Sequence, residues 1–130
     1  MRQKYDLTVA YRIYPKVSKI PPVFVDDKLK LSELCLSSFQ NCLKGLNVKM
    51  LVILDSCPPK YKELFLKYFD FENVEFYERD GIGNAETFKL QLNLLLNQTY
   101  SENIYFAEDD YYYRDDKNFA TLIDLLENEE

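Results

Sequence analysis

Val48-Lys49-Met50-Leu51-Val52-Ile53-Leu54-Asp55 is the stretch on which the fold turns. Over Val48–Leu54, apart from Lys49, it is apolar without alternation, the pattern of a strand covered on both faces, as in a parallel sheet. Asp55 ends it, and Pro58 and Pro59 follow where the first turn of a helix tolerates proline. Tyr61, Leu64, Phe65, Tyr68 and Phe69 then recur at helical spacing. A buried strand feeding directly into a helix is the repeating unit of an α/β sheet.

Working outward, the same unit repeats. Before it, Leu7–Ile13 alternates with Leu7, Val9, Tyr11 and Ile13 on one face, and Pro15, Pro21 and Pro22 break the pattern. A helix is expected from about Asp27 to Leu46, with Leu31, Cys35, Phe39, Cys42 and Leu46 on its apolar face and Gly45 as a stop. After it, Val74–Tyr77 reads as a short strand, and Gly81 and Gly83 mark a turn. Ala85, Phe88, Leu92, Leu95 and Leu96 give a helix ending near Asn97, and Ile104–Ala107 is a fourth strand. Asp115 or Asp116 is the expected cap of a fourth helix, whose apolar face is Phe119, Leu122, Ile123 and Leu126. Four successive strand and helix units predict one α/β domain over residues 1–130, a mostly parallel sheet with helices on both faces.

Composition narrows the chemistry. The 130 residues carry 16 basic and 22 acidic side chains, net −6, with the basic residues scattered, so nucleic acid is not an expected partner. No apolar run reaches the roughly 18 residues of a membrane span, and Met1–Ala10 has no basic-then-apolar leader, so the cytoplasm is the default expectation. Histidine is absent, which excludes His-dependent nucleophilic centres and His-ligated metals within the chain. Cys35, Cys42 and Cys57 have no zinc or redox spacing and are expected as free thiols. Any metal must therefore be held by oxygen.

In open parallel sheets ligands bind beyond the carboxyl ends of the strands. Asp55, Gly81–Asn84 and Glu108–Asp110 all fall there. Because successive side chains of a strand alternate faces, Glu108 and Asp110 are expected to point the same way, roughly 6.5–7 Å apart along the backbone, with Asp109 opposite. Two same-side carboxylates suit a Mg²⁺-like ion whose remaining positions go to water and substrate phosphates. Acids after a strand can instead cap a helix or hold a loop in water, but the convergence of three strand ends on one rim favours ligand chemistry.

The glycines do not form a dinucleotide fingerprint, because Gly81-Ile82-Gly83-Asn84-Ala85-Glu86 lacks the third glycine and follows the third strand. A receiver domain would need acids after strand one, where Arg12 and Tyr14 stand, and no phosphate-loop pattern occurs. The order of motifs instead resembles the nucleotide-sugar-binding half of the family 2 glycosyltransferases, which have the GT-A fold, a Rossmann-like three-layer sandwich. The resemblance spans about Asp6 to Leu126. It runs through Leu7-Thr8-Val9-Ala10-Tyr11, Leu34-Cys35-Leu36-Ser37-Ser38-Phe39, Leu51-Val52-Ile53-Leu54-Asp55-Ser56, Gly81-Ile82-Gly83-Asn84-Ala85 and Phe106-Ala107-Glu108-Asp109-Asp110.

The resemblance implies a glycosyltransferase that binds a nucleotide diphosphate sugar, a UDP-sugar, through Mn²⁺ or Mg²⁺. It places the metal on Asp110 and Glu108, the nucleotide on Tyr11, Asp55, Gly83 and Glu108, and a uracil hydrogen bond on Asp55. The pattern departs from the family where Asp55 is followed by Ser56 and Cys57, and where Glu86 and Thr87 stand near a usual arginine; Lys89 or Arg79 could substitute as a phosphate contact, but a solvated surface charge is the favoured reading of each. The acceptor-binding half and its general base are missing from the resemblance, so the catalytic residue and the acceptor are unknown. The alternative is a non-catalytic nucleotide-binding or protein-interaction domain that kept the fold, with Tyr111, Tyr112 and Tyr113 offering a face for a partner or a homo-oligomer. A nucleotidyltransferase is disfavoured because Tyr14–Asp27 has no glycine-rich basic loop.

Overall fold

The computed structural model describes residues 4–15, 27–109, 111–114 and 118–128. Its elements are β1 (Leu7–Ile13), α1 (Lys28–Cys42), β2 (Val48–Asp55), α2 (Pro59–Tyr68), β3 (Val74–Arg79), α3 (Gly83–Asn97), β4 (Ile104–Glu108) and α4 (Phe119–Asn128). The four strands form one parallel sheet in the order β3-β2-β1-β4. The chain steps outward from β1 to β3 and then crosses back to place β4 on the other side of β1. That reversal makes the β1/β4 boundary the topological switch point, where the carboxyl ends of neighbouring strands open a crevice.

Local chemistry accounts for the elements. Every residue of β2 is buried because the strand sits between β1 and β3 and is covered on both faces. Asp27 caps α1 by accepting the Lys30 N–H at 3.0 Å. The helix stops at Cys42, short of Leu46, and Gly45 takes the left-handed φ of +86° just beyond. The cap of α4 is Asn118, whose Oδ1 accepts the Ala120 and Thr121 N–H groups at 2.8 and 3.3 Å. Asp115 and Asp116, expected in that role, lie outside the described residues.

The main core lies on one face of the sheet. Leu7, Val9, Tyr11 and Ile13 of β1 meet Leu36 and Phe39 of α1, Leu64 and Phe65 of α2, and Ile123 of α4. Phe39 is its hub, with ring centroids 4.8–5.9 Å from Tyr11, Tyr105, Tyr113 and Phe119. On the opposite face α3 packs alone among the described helices. Its buried side chains are Thr87, Gln91 and Leu95, whereas Phe88, Leu92 and Leu96, expected in the core, are exposed. The reason is incomplete cover: α3 rests on β1 and β2, and no second described helix lies beside it on that face, so Phe88 has Phe106 of β4 stacked on it at 5.6 Å and is still exposed. Leu122 and Leu126 of α4 are likewise exposed, and only Ile123 of the helix is buried. No helix among the described residues is long and apolar enough to cross a membrane.

Lys49, the one cation within β2, is buried through a small polar cluster. Its ammonium lies 3.2 Å from Glu75 and 4.9 Å from the Tyr100 ring centroid. Glu75 also accepts hydrogen bonds from the Tyr77 and Tyr100 hydroxyls. Burial works against the Glu75 carboxylate, but hydrogen bonds from Tyr100, Tyr77 and Lys49 outweigh it and hold the pKa below the ordinary glutamate value. A depressed folded-state pKa gives stability that is full above the unfolded value, about 4.3, and is lost as pH falls through the folded value. Glu75→Gln is therefore expected to be less stable than wild type at pH 7, with the difference closing in acid. Urea denaturation at pH 7 and pH 3 checks this, and a gap that stays constant would remove the pH link.

Candidate functional site

Arg12 ends the α3-facing side of β1, and its register partner in β4 is Glu108. The two side chains form an ion pair through Arg12 Nη2 and Glu108 Oε1. Arg12 Nη1 also donates to the Asn84 carbonyl at 2.8 Å and to Thr87 Oγ1 at 3.1 Å, both at the start of α3. The guanidinium thus joins three elements at the switch point with its side chain only 16% exposed. Nearby, Gln91, itself buried, donates from Nε2 to the Ala10 and Ala107 carbonyls at 2.8 and 3.0 Å, holding β1 and β4 together below the rim.

Asp109 points to the other face of the sheet. Its carboxylate pairs with Lys28 at 2.7 Å and accepts the Tyr14 N–H at 3.3 Å, joining the end of β1 to the start of α1. The opposite orientations of Glu108 and Asp109 follow the alternation expected of a strand. β4 ends at Glu108, and Asp110, expected on the same side as Glu108, lies outside the described residues.

Asp55 has a role that differs from a free base-reading carboxylate. It is 2% exposed, and its two oxygens accept three backbone N–H groups: Gly81 at 2.7 Å and Ile82 at 3.0 Å on Oδ1, Gly83 at 3.0 Å on Oδ2. Three of roughly four lone-pair positions are engaged by the loop. The carboxylate faces the first turn of α3, where the helix dipole favours negative charge. Gly81 and Gly83 hold left-handed φ angles of +71° and +85°, which turn successive N–H groups onto one acceptor. Gly83, assigned to nucleotide by resemblance, spends its N–H on Asp55.

Tyr11 is corrected outright. It is 1% exposed and packs between Phe39 and Phe65, within the core rather than on the rim. Its alternation with Leu7, Val9 and Ile13 already placed it on that face. Lys89 pairs with Glu86 on the outer surface of α3, and Arg79 donates to the Glu78 carbonyl at the end of β3. The cations gathered at the switch point are instead Arg12 and Lys28. Sequence reasoning passed over both, though an arginine closing an otherwise apolar strand was a usable signal.

Cys57 borders the same region, its Sγ donating to the Ile13 carbonyl at 3.5 Å. Its thiol is pushed up to about 12, first by burial and then by the carboxylates of Asp109 and Asp55. It stays protonated at neutral pH and is a poor nucleophile. Of the three tyrosines after the acids, Tyr113 is partly buried, its hydroxyl 3.0 Å from that of Tyr105, while Tyr111 and Tyr112 are exposed. A separate groove of about 290 Å³ lies between α3 and β3, with Leu51, Tyr77, Leu94 and Tyr100 in its walls.

Glu108 was the expected partner of a divalent cation. Its Oε2 meets no donor among the described residues, and its side chain is 34% exposed, so one hard oxygen is available. Among the described residues no group of three Asp, Glu or Cys side chains could hold an ion. Asp110, its expected co-ligand, lies outside the described residues. No protein-family model matches the chain, and no curated protein matches it.

Proposed function

We propose that this chain is the donor-binding domain of a glycosyltransferase with the GT-A fold, taking a nucleotide diphosphate sugar, specifically a UDP-sugar, at the β1/β4 switch point. The observation that carries the reading is the meeting of Arg12 at the end of β1 with Glu108 at the end of β4, beside the first turn of α3. Ligands of open parallel sheets occupy that crevice, and a diphosphate needs both cationic contacts and acids that bring a cation. Glu108 and Asp110 would hold Mn²⁺ or Mg²⁺, which when bound supplies charge neutralisation for a departing diphosphate. Arg12 and Lys28 contribute positive charge of the chain's own. Asp55 acts by shaping the Gly81–Gly83 loop against which the ligand would lie.

Exposed Tyr111 and Tyr112 favour a second reading, a binding domain without turnover. Thermal unfolding with UDP, with Mn²⁺ and with both addresses the site itself. A ligand that binds only the folded state stabilises it by about 2.7 kcal/mol at a hundred times its Kd. The expected result is a raised midpoint with both together and little change with either alone. No shift with any combination would remove the donor-site reading and leave the binding domain.

A further inference from the structure

We propose that Arg12 is the phosphate-binding residue of this site and that Glu108 masks it until the ligand arrives. The proposal deepens the donor-site reading and rests on it for its placement, while its chemistry comes from the guanidinium alone. An arginine presents five N–H donors in a planar fork suited to phosphate oxygens. Two hydrogens on Nη1 go to the Asn84 carbonyl and Thr87 Oγ1, which fix the plane of the group against α3. One on Nη2 goes to Glu108. The Nε hydrogen and the second Nη2 hydrogen have no acceptor among the described residues.

The fork is thus held rigidly from behind and capped by one carboxylate in front. Phe88 adds an aromatic face 5.9 Å from the guanidinium carbon, which limits its movement further. A carboxylate is the side chain whose geometry most resembles a phosphate edge, so Glu108 and a diphosphate compete for the same donors. Glu108 is the more exposed partner of the pair, at 34% against 16%, and is the one free to swing away. Anchored arginine and movable acid give an exchange: the ligand's phosphate takes the place of Glu108, which then turns toward a cation brought with the diphosphate.

The test uses inorganic pyrophosphate with a chelator present, so that no divalent ion takes part, and reads affinity by calorimetry. Glu108→Gln keeps the shape of the side chain and removes the competing charge. It is expected to bind pyrophosphate about tenfold more tightly than wild type, on the scale of one charge-assisted hydrogen bond. Adding Arg12→Gln to that variant is expected to erase the gain, while Arg12→Lys, which keeps charge but loses the fork, recovers only part of it. Should Arg12→Gln fail to fold, the Arg12→Lys comparison in the Glu108→Gln background carries the same information. Equal affinity in wild type and Glu108→Gln, or a gain that survives loss of Arg12, overturns the proposal. Absence of pyrophosphate binding in every protein overturns it too. A metal-dependent UDP shift that persists undiminished in Arg12→Gln would sink this inference and leave the donor-site reading standing.

Discussion

Asp55→Ala is expected to destabilise the chain by about 3 kcal/mol. The carboxylate is buried at the end of β2 and is the common acceptor for the Gly81, Ile82 and Gly83 N–H groups. Each donor left unsatisfied costs roughly 1–3 kcal/mol, and more when the lost partner is charged. Gly81 and Gly83 are solvent-exposed, so water recovers part of that loss, which keeps the total below a simple sum. A second contribution is the end of α3, whose first-turn N–H groups lose a negative partner worth up to about 1 kcal/mol. Ser56 would no longer be held opposite a fixed loop. It carries a φ of +59°, a left-handed conformation that costs a non-glycine residue about 1–2 kcal/mol, and its N–H bonds to the Arg79 carbonyl at 2.9 Å.

Urea denaturation reads the effect directly, with the midpoint falling by about 1–3 M at an unchanged slope. Asp55→Asn is expected to lose less, because one oxygen remains as acceptor while the amide turns a donor toward a donor. A midpoint within about 0.3 M of wild type for Asp55→Ala would mean that the loop holds itself and that the acid is spare. In that case the carboxylate would be available to a ligand after all, and its expected contact with a nucleotide base would regain weight.

Phe39→Ala is expected to destabilise by about 4 kcal/mol, from the range of 3–5 kcal/mol for buried phenylalanine truncations. Phe39 is 0% exposed and is ringed by Tyr11, Tyr105, Tyr113 and Phe119, which come from β1, β4, the segment after β4 and α4. Those aromatic side chains are too large to collapse into the gap, so most of the void persists and its surroundings lose dispersion contacts. Against a typical total stability of about 5–15 kcal/mol, the variant would stand near the edge of folding. Chemical denaturation gives the number, and hydrogen exchange adds location: protection is expected to fall most along α4, which has Ile123 as its one fully buried side chain. A loss below about 1.5 kcal/mol would show that the neighbouring rings repack, and would count against Phe39 as the hub.

These two expectations separate what periodicity can convey from what it cannot. Strands and helices were legible because apolar spacing is a local property, and the unbroken run in β2 announced a strand covered on both sides. The same logic failed where cover is incomplete. Phe88, Leu92 and Leu96 have the spacing of a core face, yet they are exposed because α3 rests on β1 and β2 and no second described helix lies beside it on that face of the sheet. Tyr11 went astray for a different reason. Its alternation with core residues pointed inward, and only the resemblance to a family drew it toward the ligand.

The sequence by itself determined the α/β class, the four strands and four helices, the expectation of a parallel sheet and the gathering of acids and glycines after strand ends. Each of these follows from patterns within about twenty residues. Only the tertiary structure decided that β1 lies between β2 and β4, which brings Arg12 to Glu108 across 96 residues and Asp55 to the Gly81–Gly83 loop across 26 to 28. Strand order is chosen by how helices cover a sheet and how its chain crosses over, and no local spacing encodes it. The candidate site is made of such long-range neighbours: its residues were visible in the sequence, and their partnerships were not.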